Sequence, residues 1–369
     1  MVIKKYTSMN TENIDMVLEK RALVLDSMQN MGHEQVVFCY DKKTGLKAII
    51  AIHDTTLGPA LGGTRMWHYN NELEALEDVL RLSRGMSLKA AISGLELGGG
   101  KAVIIGDSQV DKTESLMRRF GAFVDSLGGK YITAEDVGMS TKDMEYVSME
   151  TKHVTGVAEN LGGSGDPSPV TAFGVYMGMK AASQYKWGSD NLASRKIVVQ
   201  GVGNVGENLV KYLKDEGAHI IINDVNQDRL SYIADKYETE IVLEDKIFDI
   251  DMDIYAPCAL GATVNPDTIQ RLKCHIIAGA ANNQLANESR DAKLCADKGI
   301  IYAPDFLINA GGLINVYSEI KGYDRQHALN KTKRIFDTTL EILKKAELDN
   351  ITTHQAALDI AESRIIAGK

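Results

Sequence analysis

The stretch Ile197-Val198-Val199-Gln200-Gly201-Val202-Gly203-Asn204-Val205-Gly206 decides how this chain folds. Its opening residues have the apolar, β-branched character of a short buried strand. The glycines that follow fall at G-x-G-x-x-G spacing and lead into the helical segment Glu207–Glu216. That glycine pattern is weak evidence alone, but it becomes specific between a strand and a helix. Gly201 permits a tight turn, Gly203 lets backbone approach a pyrophosphate, and Gly206 allows close contact between helix and strand. Asn204 and Val205 complete the turn, so the pyrophosphate would meet unpaired N–H groups and the positive end of the helix dipole. A second strand, His219–Asn223, ends at Asp224, which is 23 residues after Gly201. This is close to the ~20-residue spacing of the acid that binds the ribose 2′-hydroxyl. A carboxylate there would repel a 2′-phosphate, so the expected cofactor is NAD rather than NADP.

Upstream, Val36–Tyr40 and Leu46–His53 read as strands joined by the turn Asp41-Lys42-Lys43-Thr44-Gly45. Residues 12–31 read as a helix. A second helix starts at Asn71, a candidate N-cap with Glu74 three residues on, and continues through Leu73, Leu76, Val79, Leu80 and Ser83. Ala102–Ile105 is a short strand, Thr113–Leu127 an amphipathic helix and Ala172–Gln184 another helix. The charged stretch Lys331–Asp349 reads as the solvated face of a helix. Alternating strands and helices indicate an α/β fold. A length of 369 residues exceeds a single core of roughly 250–300 residues, and Gly162–Pro169 has the composition of a boundary loop. Two domains separated by a cleft are expected.

The net charge of −9 and a pI near 5.5 argue against a nucleic-acid partner. Cys39, Cys258, Cys274 and Cys295 lack C-x-x-C spacing and read as free thiols of a reducing compartment. Met1–Asn30 lacks the apolar core of a signal peptide, and no run reaches the ~18 apolar residues of a membrane span. A cytoplasmic protein without membrane contact is expected. The eight histidines show no ligand spacing, so no metal site is expected.

Chemistry is suggested by two lysines. Lys101 follows Gly98-Gly99-Gly100, and Lys89 lies twelve residues earlier. Three glycines would admit Lys101 to a cramped, dry cleft, where desolvation lowers an ammonium pKa and makes the amine a usable base. Taken alone, Lys89 reads equally as a surface lysine at a helix C-terminus, and Asp136 as a turn or cap residue.

Together these segments resemble the amino-acid dehydrogenases related to the glutamate, leucine, phenylalanine and valine dehydrogenases. The likeness runs from about His33 onward. It is carried by Leu57–Met66, Gly98–Lys101, Thr133–Gly138, Asp166–Thr171, Gly201–Gly206, Ala256–Gly261, Ala278–Leu285 and Tyr302–Val316. The resemblance implies an N-terminal α/β substrate domain over residues 1–156, a Rossmann-type domain over 157–334, and a return to the first domain from about 335 to 369. It further implies a homo-oligomer, in the family often an octamer. Lys89 would pair with the substrate carboxylate, Lys101 would be the general base that activates water, and Asp136 would shuttle protons at the amino nitrogen. The charge of Lys89 should help depress Lys101. Thr171 and Asn282, with Asn283 nearby, would hold the nicotinamide end. A hydroxy-acid dehydrogenase would need a catalytic histidine, and none lies in a matched segment.

The same likeness assigns the side-chain pocket to Leu61, Gly62, Met86, Ala134, Leu313 and Val316. No cation among them could receive a γ-carboxylate, which argues against glutamate. Ala134-Glu135 looks like the leucine enzymes, whereas Leu313 looks like the aromatic-specific ones. The expected reaction is reversible deamination of leucine, valine and isoleucine to 2-oxo acids and ammonia, with phenylalanine as the alternative substrate.

Overall fold

The computed structural model describes residues 24–368 apart from 159, 161 and 321. Of the helix expected over 12–31, α1 (Val24–Met31) is seen, and residues 12–23 lie outside the described residues. The first region continues with β1 (Gln35–Asp41), β2 (Leu46–Asp54), β3 (Ala60–Trp67), α2 (Glu72–Ile92), β4 (Gly98–Ile105), α3 (Glu114–Asp125), β5 (Tyr131–Glu135) and α4 (Thr141–Ser148). Asn71 caps α2 as expected, its side chain accepting from the Glu74 amide at 3.0 Å. The five strands form one sheet in the order β1-β2-β4-β3-β5. Its β2 pairs are antiparallel, and β3 runs parallel to both β4 and β5.

The second region comprises α5 (Ser168–Trp187), β6 (Lys196–Gln200), α6 (Asn204–Glu216), β7 (His219–Asn223), α7 (Gln227–Tyr237), β8 (Glu240–Ile241), β9 (Ile254–Pro257), α8 (Pro266–Arg271), β10 (Ile276–Ile277), α9 (Glu288–Asp297) and β11 (Ile301–Tyr302). Its sheet has the order β11-β10-β9-β6-β7-β8, with every pair parallel. Ile197, Val198 and Val199 are fully buried, as suits a strand covered on both faces. Strand order reverses at β6, the switch point outside which ligands bind in such sheets.

The chain ends with α10 (Asp305–Ile308), α11 (Gly311–Ile320), α12 (Arg325–Lys333), α13 (Ile335–Asp349) and α14 (Thr353–Ala367). α13 packs on α5, whereas α14 reaches back to α2, where Arg364 donates to the Ala91 carbonyl at 2.7 Å. The stretch expected as one solvated helix is thus two helices. Ile335, Thr339, Ile342 and Leu343 of the second are buried, because α5 covers that face.

The strand expected at Ala102–Ile105 starts four residues earlier, so that the glycine run before Lys101 is the beginning of buried β4. A Cβ on Gly98 would stand 2.0 Å from the Asp54 carbonyl oxygen, one on Gly99 2.1 Å from the Ser87 amide, and one on Gly100 2.7 Å from the Tyr131 ring. All four cysteines are free, and burial pushes Cys39 up to about 11 and Cys258 to about 12. Among the described residues no helix is long and apolar enough to cross a membrane.

Candidate active site

Parallel pairing of β3 with β4 and β5 sets Ala102 and Glu135 on either side of Thr64, so that Lys101, Arg65 and Asp136 each lie one residue from that level. Lys101 is 5% exposed, and its Nζ lies 2.8 Å from Asp136 Oδ2. The same oxygen accepts from Arg65 Nε at 3.2 Å. Gly63 makes this approach feasible, since a Cβ there would stand 2.9 Å from Asp136 Cβ. Arg65 is oriented in turn by Asp78 at 2.9 Å, which also receives Tyr69 Oη at 2.8 Å and Arg81 Nη2 at 2.9 Å.

Burial lowers the Lys101 pKa, Asp136 opposes that shift, and the Arg65 guanidinium adds to it. Burial alone would raise the Asp136 carboxyl, but Lys101 and Arg65 together hold it below the usual carboxylate range. Arg65 is thus a cation pressing on Lys101 that the sequence did not suggest, in addition to Lys89, whose repulsion with Lys101 is mutual. Arg65 sits in the quoted Leu57–Met66 segment, and its salt bridge across 71 residues had no local signal.

Lys89 lies in the last turn of α2. Its Nζ donates to Asn309 Oδ1 at 2.6 Å, and Asn309 Nδ2 donates to Asn282 Oδ1 at 2.8 Å and to the Ala280 carbonyl at 3.1 Å. A side chain of the first region thereby meets the segment expected at the nicotinamide end. Burial lowers Lys89 to about 8, buried Asp305 opposes this, and Lys101 adds to it. The Asp305 carboxylate accepts from the Gln284 amide at 3.1 Å and the Phe306 amide at 2.8 Å. Asp305 and Asn309 were both missed. They stand four residues apart on α10 and its C-cap, so one short helix supplies Lys89 with a counter-charge and an acceptor.

Leu61 and Leu313 belong to the large apolar core shared by the two regions, and Met86 and Val316, partly buried, pack against it. Ala134, buried on β5, lies opposite Gly63 in register. Gly62 has a structural reason to lack a side chain, since a Cβ would stand 1.7 Å from the Gly100 carbonyl oxygen. The start of α11 is pressed onto α5: a Cβ on Gly311 would meet the Val170 carbonyl oxygen at 2.1 Å, and one on Gly312 would meet Thr171 Oγ1 at 3.0 Å. The Thr171 hydroxyl itself donates to the Pro167 carbonyl at 3.0 Å.

At the end of β6, Gly201 has φ +93°, and its amide donates to the Asn223 carbonyl at 2.7 Å. A Cβ on Gly206 would stand 2.0 Å from the Gly201 carbonyl oxygen, whereas one on Gly203 would meet nothing within 4 Å. α6 starts at Asn204, three residues before the expected Glu207, and no side chain caps it. Val205 lies in its first turn. Asp224 follows β7 and accepts from the Val202 amide at 2.8 Å and the Asn226 amide at 2.9 Å. Open space over Gly203, an uncapped helix N-terminus and a carboxylate at the next strand end fit a dinucleotide.

Comparison with known proteins agrees with this geometry. Residues 33–153 match the family described as Glu/Leu/Phe/Val dehydrogenase, dimerisation domain. Residues 162–226 and 222–366 match glutamate/leucine/phenylalanine/valine dehydrogenase. The leucine dehydrogenase of Thermoactinomyces intermedius is 52% identical over 342 residues, 93% of each chain. The phenylalanine dehydrogenase of Bacillus thermotolerans is 50% identical over 340 residues, 91% of this chain and 89% of that protein. The crystal structure of L-tryptophan dehydrogenase from Nostoc punctiforme superposes with a TM-score of 0.84 at 46% identity, covering 93% of this chain and 99% of that one.

Proposed function

The chain belongs to the glutamate/leucine/phenylalanine/valine dehydrogenase family and is an amino-acid dehydrogenase; from that premise we propose that it deaminates branched-chain L-amino acids with NAD, reversibly, to 2-oxo acids and ammonia. The observation that carries this reading is the buried Lys101–Asp136 pair, with a second, half-buried lysine, Lys89, held by Asn309.

Lys89, held by Asn309 and neighboured by Asp305, pairs as a cation with the substrate carboxylate. Gly203 would hold the pyrophosphate of a nicotinamide dinucleotide and Thr171 and Asn282 its nicotinamide end, and the cofactor would supply the acceptor for the hydride that leaves the substrate Cα. Neutral Lys101 then takes a proton from the water that attacks the resulting imino carbon. Asp136, kept ionised by Lys101 and Arg65, carries protons to and from the nitrogen until ammonia leaves. Leu61, Met86, Ala134, Leu313 and Val316 enclose an aliphatic side chain and offer no partner to a charged one. Asp224 at the ribose position supports NAD over NADP. The description of residues 33–153 as a dimerisation domain supports a homo-oligomer.

Leu313 and the similarity to phenylalanine and L-tryptophan dehydrogenases favour a second reading with an aromatic substrate. Measuring kcat/KM for leucine, valine, isoleucine and phenylalanine, with NAD and with NADP, separates the two. A tenfold preference for phenylalanine would overturn the branched-chain reading, and a preference for NADP would overturn the role of Asp224. Lys101→Ala is expected to lower kcat by roughly 10²–10⁴-fold, with cofactor binding retained. Retained deamination would remove Lys101 from the mechanism.

A further inference from the structure

Glu319, near the end of α11, has no role in the chemistry above, yet its carboxylate is heavily engaged. The Gly156 amide donates to its two oxygens at 3.2 and 2.9 Å, the Ser164 amide donates at 2.9 Å, and the Ser164 hydroxyl also donates. These donors belong to the segment that leads from the first region to α5. Gly156 has φ +77°, a conformation that other residues adopt only with strain.

The same segment is stitched to β5. Val154 forms a parallel bridge with Thr133, the Thr133 amide donates to the His153 carbonyl at 3.0 Å, and the Thr155 amide donates to the Thr133 carbonyl at 2.9 Å. Thr133 directly precedes Ala134, and Glu319 follows Val316 by about one helical turn. A short path therefore runs from Ala134 through Thr133, Thr155, Gly156 and Glu319 to Val316. The N-terminal end of α11 is already pinned where Gly311 abuts Val170. Glu319 pins the other end, through several bonds to one anionic group, the strong kind of hydrogen bond.

We propose that Glu319 is a positioning residue that determines substrate specificity: it fixes the gap between the β5 wall at Ala134 and the α11 wall at Leu313 and Val316, and so limits the side chain the pocket admits. This rests on the pocket assignment made above. Glu319 does not touch the substrate; it acts through the placement of α11. Releasing the carboxylate frees the C-terminal end of α11 to swing outward, which favours larger side chains over leucine.

The test is the kcat/KM ratio of phenylalanine to leucine in Glu319→Ala, Glu319→Gln and Leu313→Ala, with the KM for the cofactor measured in each. Glu319→Ala is expected to raise the ratio at least tenfold, mainly through a higher KM for leucine, with the cofactor KM unchanged. Glu319→Gln keeps one carbonyl oxygen and should fall between wild type and alanine. Should Glu319→Ala fail to fold, Ser164→Ala removes one donor and is expected to raise the ratio about threefold. A merely structural role would lower thermal stability and scale kcat alike for all substrates, leaving the ratio fixed, and that result overturns the proposal. If Leu313→Ala moves the ratio while neither the Glu319 nor the Ser164 variant does, only this inference fails. If none moves it, the pocket assignment fails as well.

Discussion

Two glycine-rich stretches, Gly98–Gly100 and Gly201–Gly206, look alike as sequence and differ in what their glycines face. In β4 each missing Cβ is space already filled by protein: the Asp54 carbonyl, the α2 backbone at Ser87 and the Tyr131 ring. In the turn after β6, Gly201 and Gly206 are likewise crowded, but Gly203 opens onto empty space. The first stretch uses glycine to bring α2 and β4 together, which places Lys89 and Lys101 near each other. The second uses Gly201 and Gly206 in the same way but leaves the space over Gly203 empty. Glycine density thus reports close approach, and only the neighbours tell whether protein or ligand approaches.

The largest effect is expected at Gly99. Its added Cβ would meet the Ser87 amide at 2.1 Å, Ser87 Oγ at 2.2 Å and the Ser83 carbonyl oxygen at 2.5 Å. Two of these atoms are helix backbone, which cannot rotate aside, so α2 has to lift from β4. Overpacking of this kind costs about 1–3 kcal/mol or more. Because α2 carries Lys89 and β4 carries Lys101, a displacement of about 1 Å would lower kcat by roughly 10²-fold. Gly99→Ala should therefore lose both stability, read by denaturant titration, and turnover. A variant with full turnover would show that the two lysines do not depend on this contact.

The two stretches also differed in how far they could be read. The turn after β6 was legible because its demands are local: strand, glycines and helix follow one another within about ten residues. The Asn71 cap was legible for the same reason, its partner Glu74 being three residues on. β3 was not recognised as a strand, since Gly62 and Gly63 run against β propensity and owe their presence to the Gly100 carbonyl and Asp136. Arg65 and Asn309 were missed as site residues because their partners, Asp136 and Lys89, lie 71 and 220 positions away. The roles of Lys101 and Asp136 came from the resemblance, and no local pattern announced their contact.

Titration should separate the two regions as well. His53 Nδ1 lies 2.8 Å from Ser87 Oγ, and His33 Nε2 lies 2.8 Å from Ser83 Oγ, with the two rings edge to face at 4.9 Å. The pair therefore supports α2 at Ser83 and Ser87, the same two residues that Gly99 faces. Burial, with His53 adding, pushes His33 down to about 4 from an ordinary 6.5, and burial lowers His53 too. A folded pKa below the unfolded one means that the unfolded chain binds the proton first as pH falls. Stability is then fully present above pH 6.5 and is lost progressively toward pH 4. His33 alone accounts for about 2 kcal/mol by pH 5. Hydrogen exchange should rise in α2 and β4 before β6 as pH drops, and His33→Gln should flatten the slope. Equal protection loss in both sheets would refute the local origin.

The smallest effect on the fold, and the most selective on the ligand, is expected at Gly203. Its φ of −65° and ψ of −164° are open to alanine, and no atom lies within 4 Å of the added methyl. The protein without cofactor should lose less than about 1 kcal/mol, the scale of a changed helix N-cap. The methyl would occupy the space assigned to the pyrophosphate, so the cofactor KM should rise about tenfold or more, equivalent to about 1.4 kcal/mol, with the KM ratio among amino acids unmoved. Gly206→Ala, whose Cβ would strike the Gly201 carbonyl oxygen at 2.0 Å, should instead destabilise the second sheet before any ligand is added. Similar stability losses in the two variants would mean that Gly203, like the glycines of β4, is there for packing. The pyrophosphate would then have to bind elsewhere at the switch point.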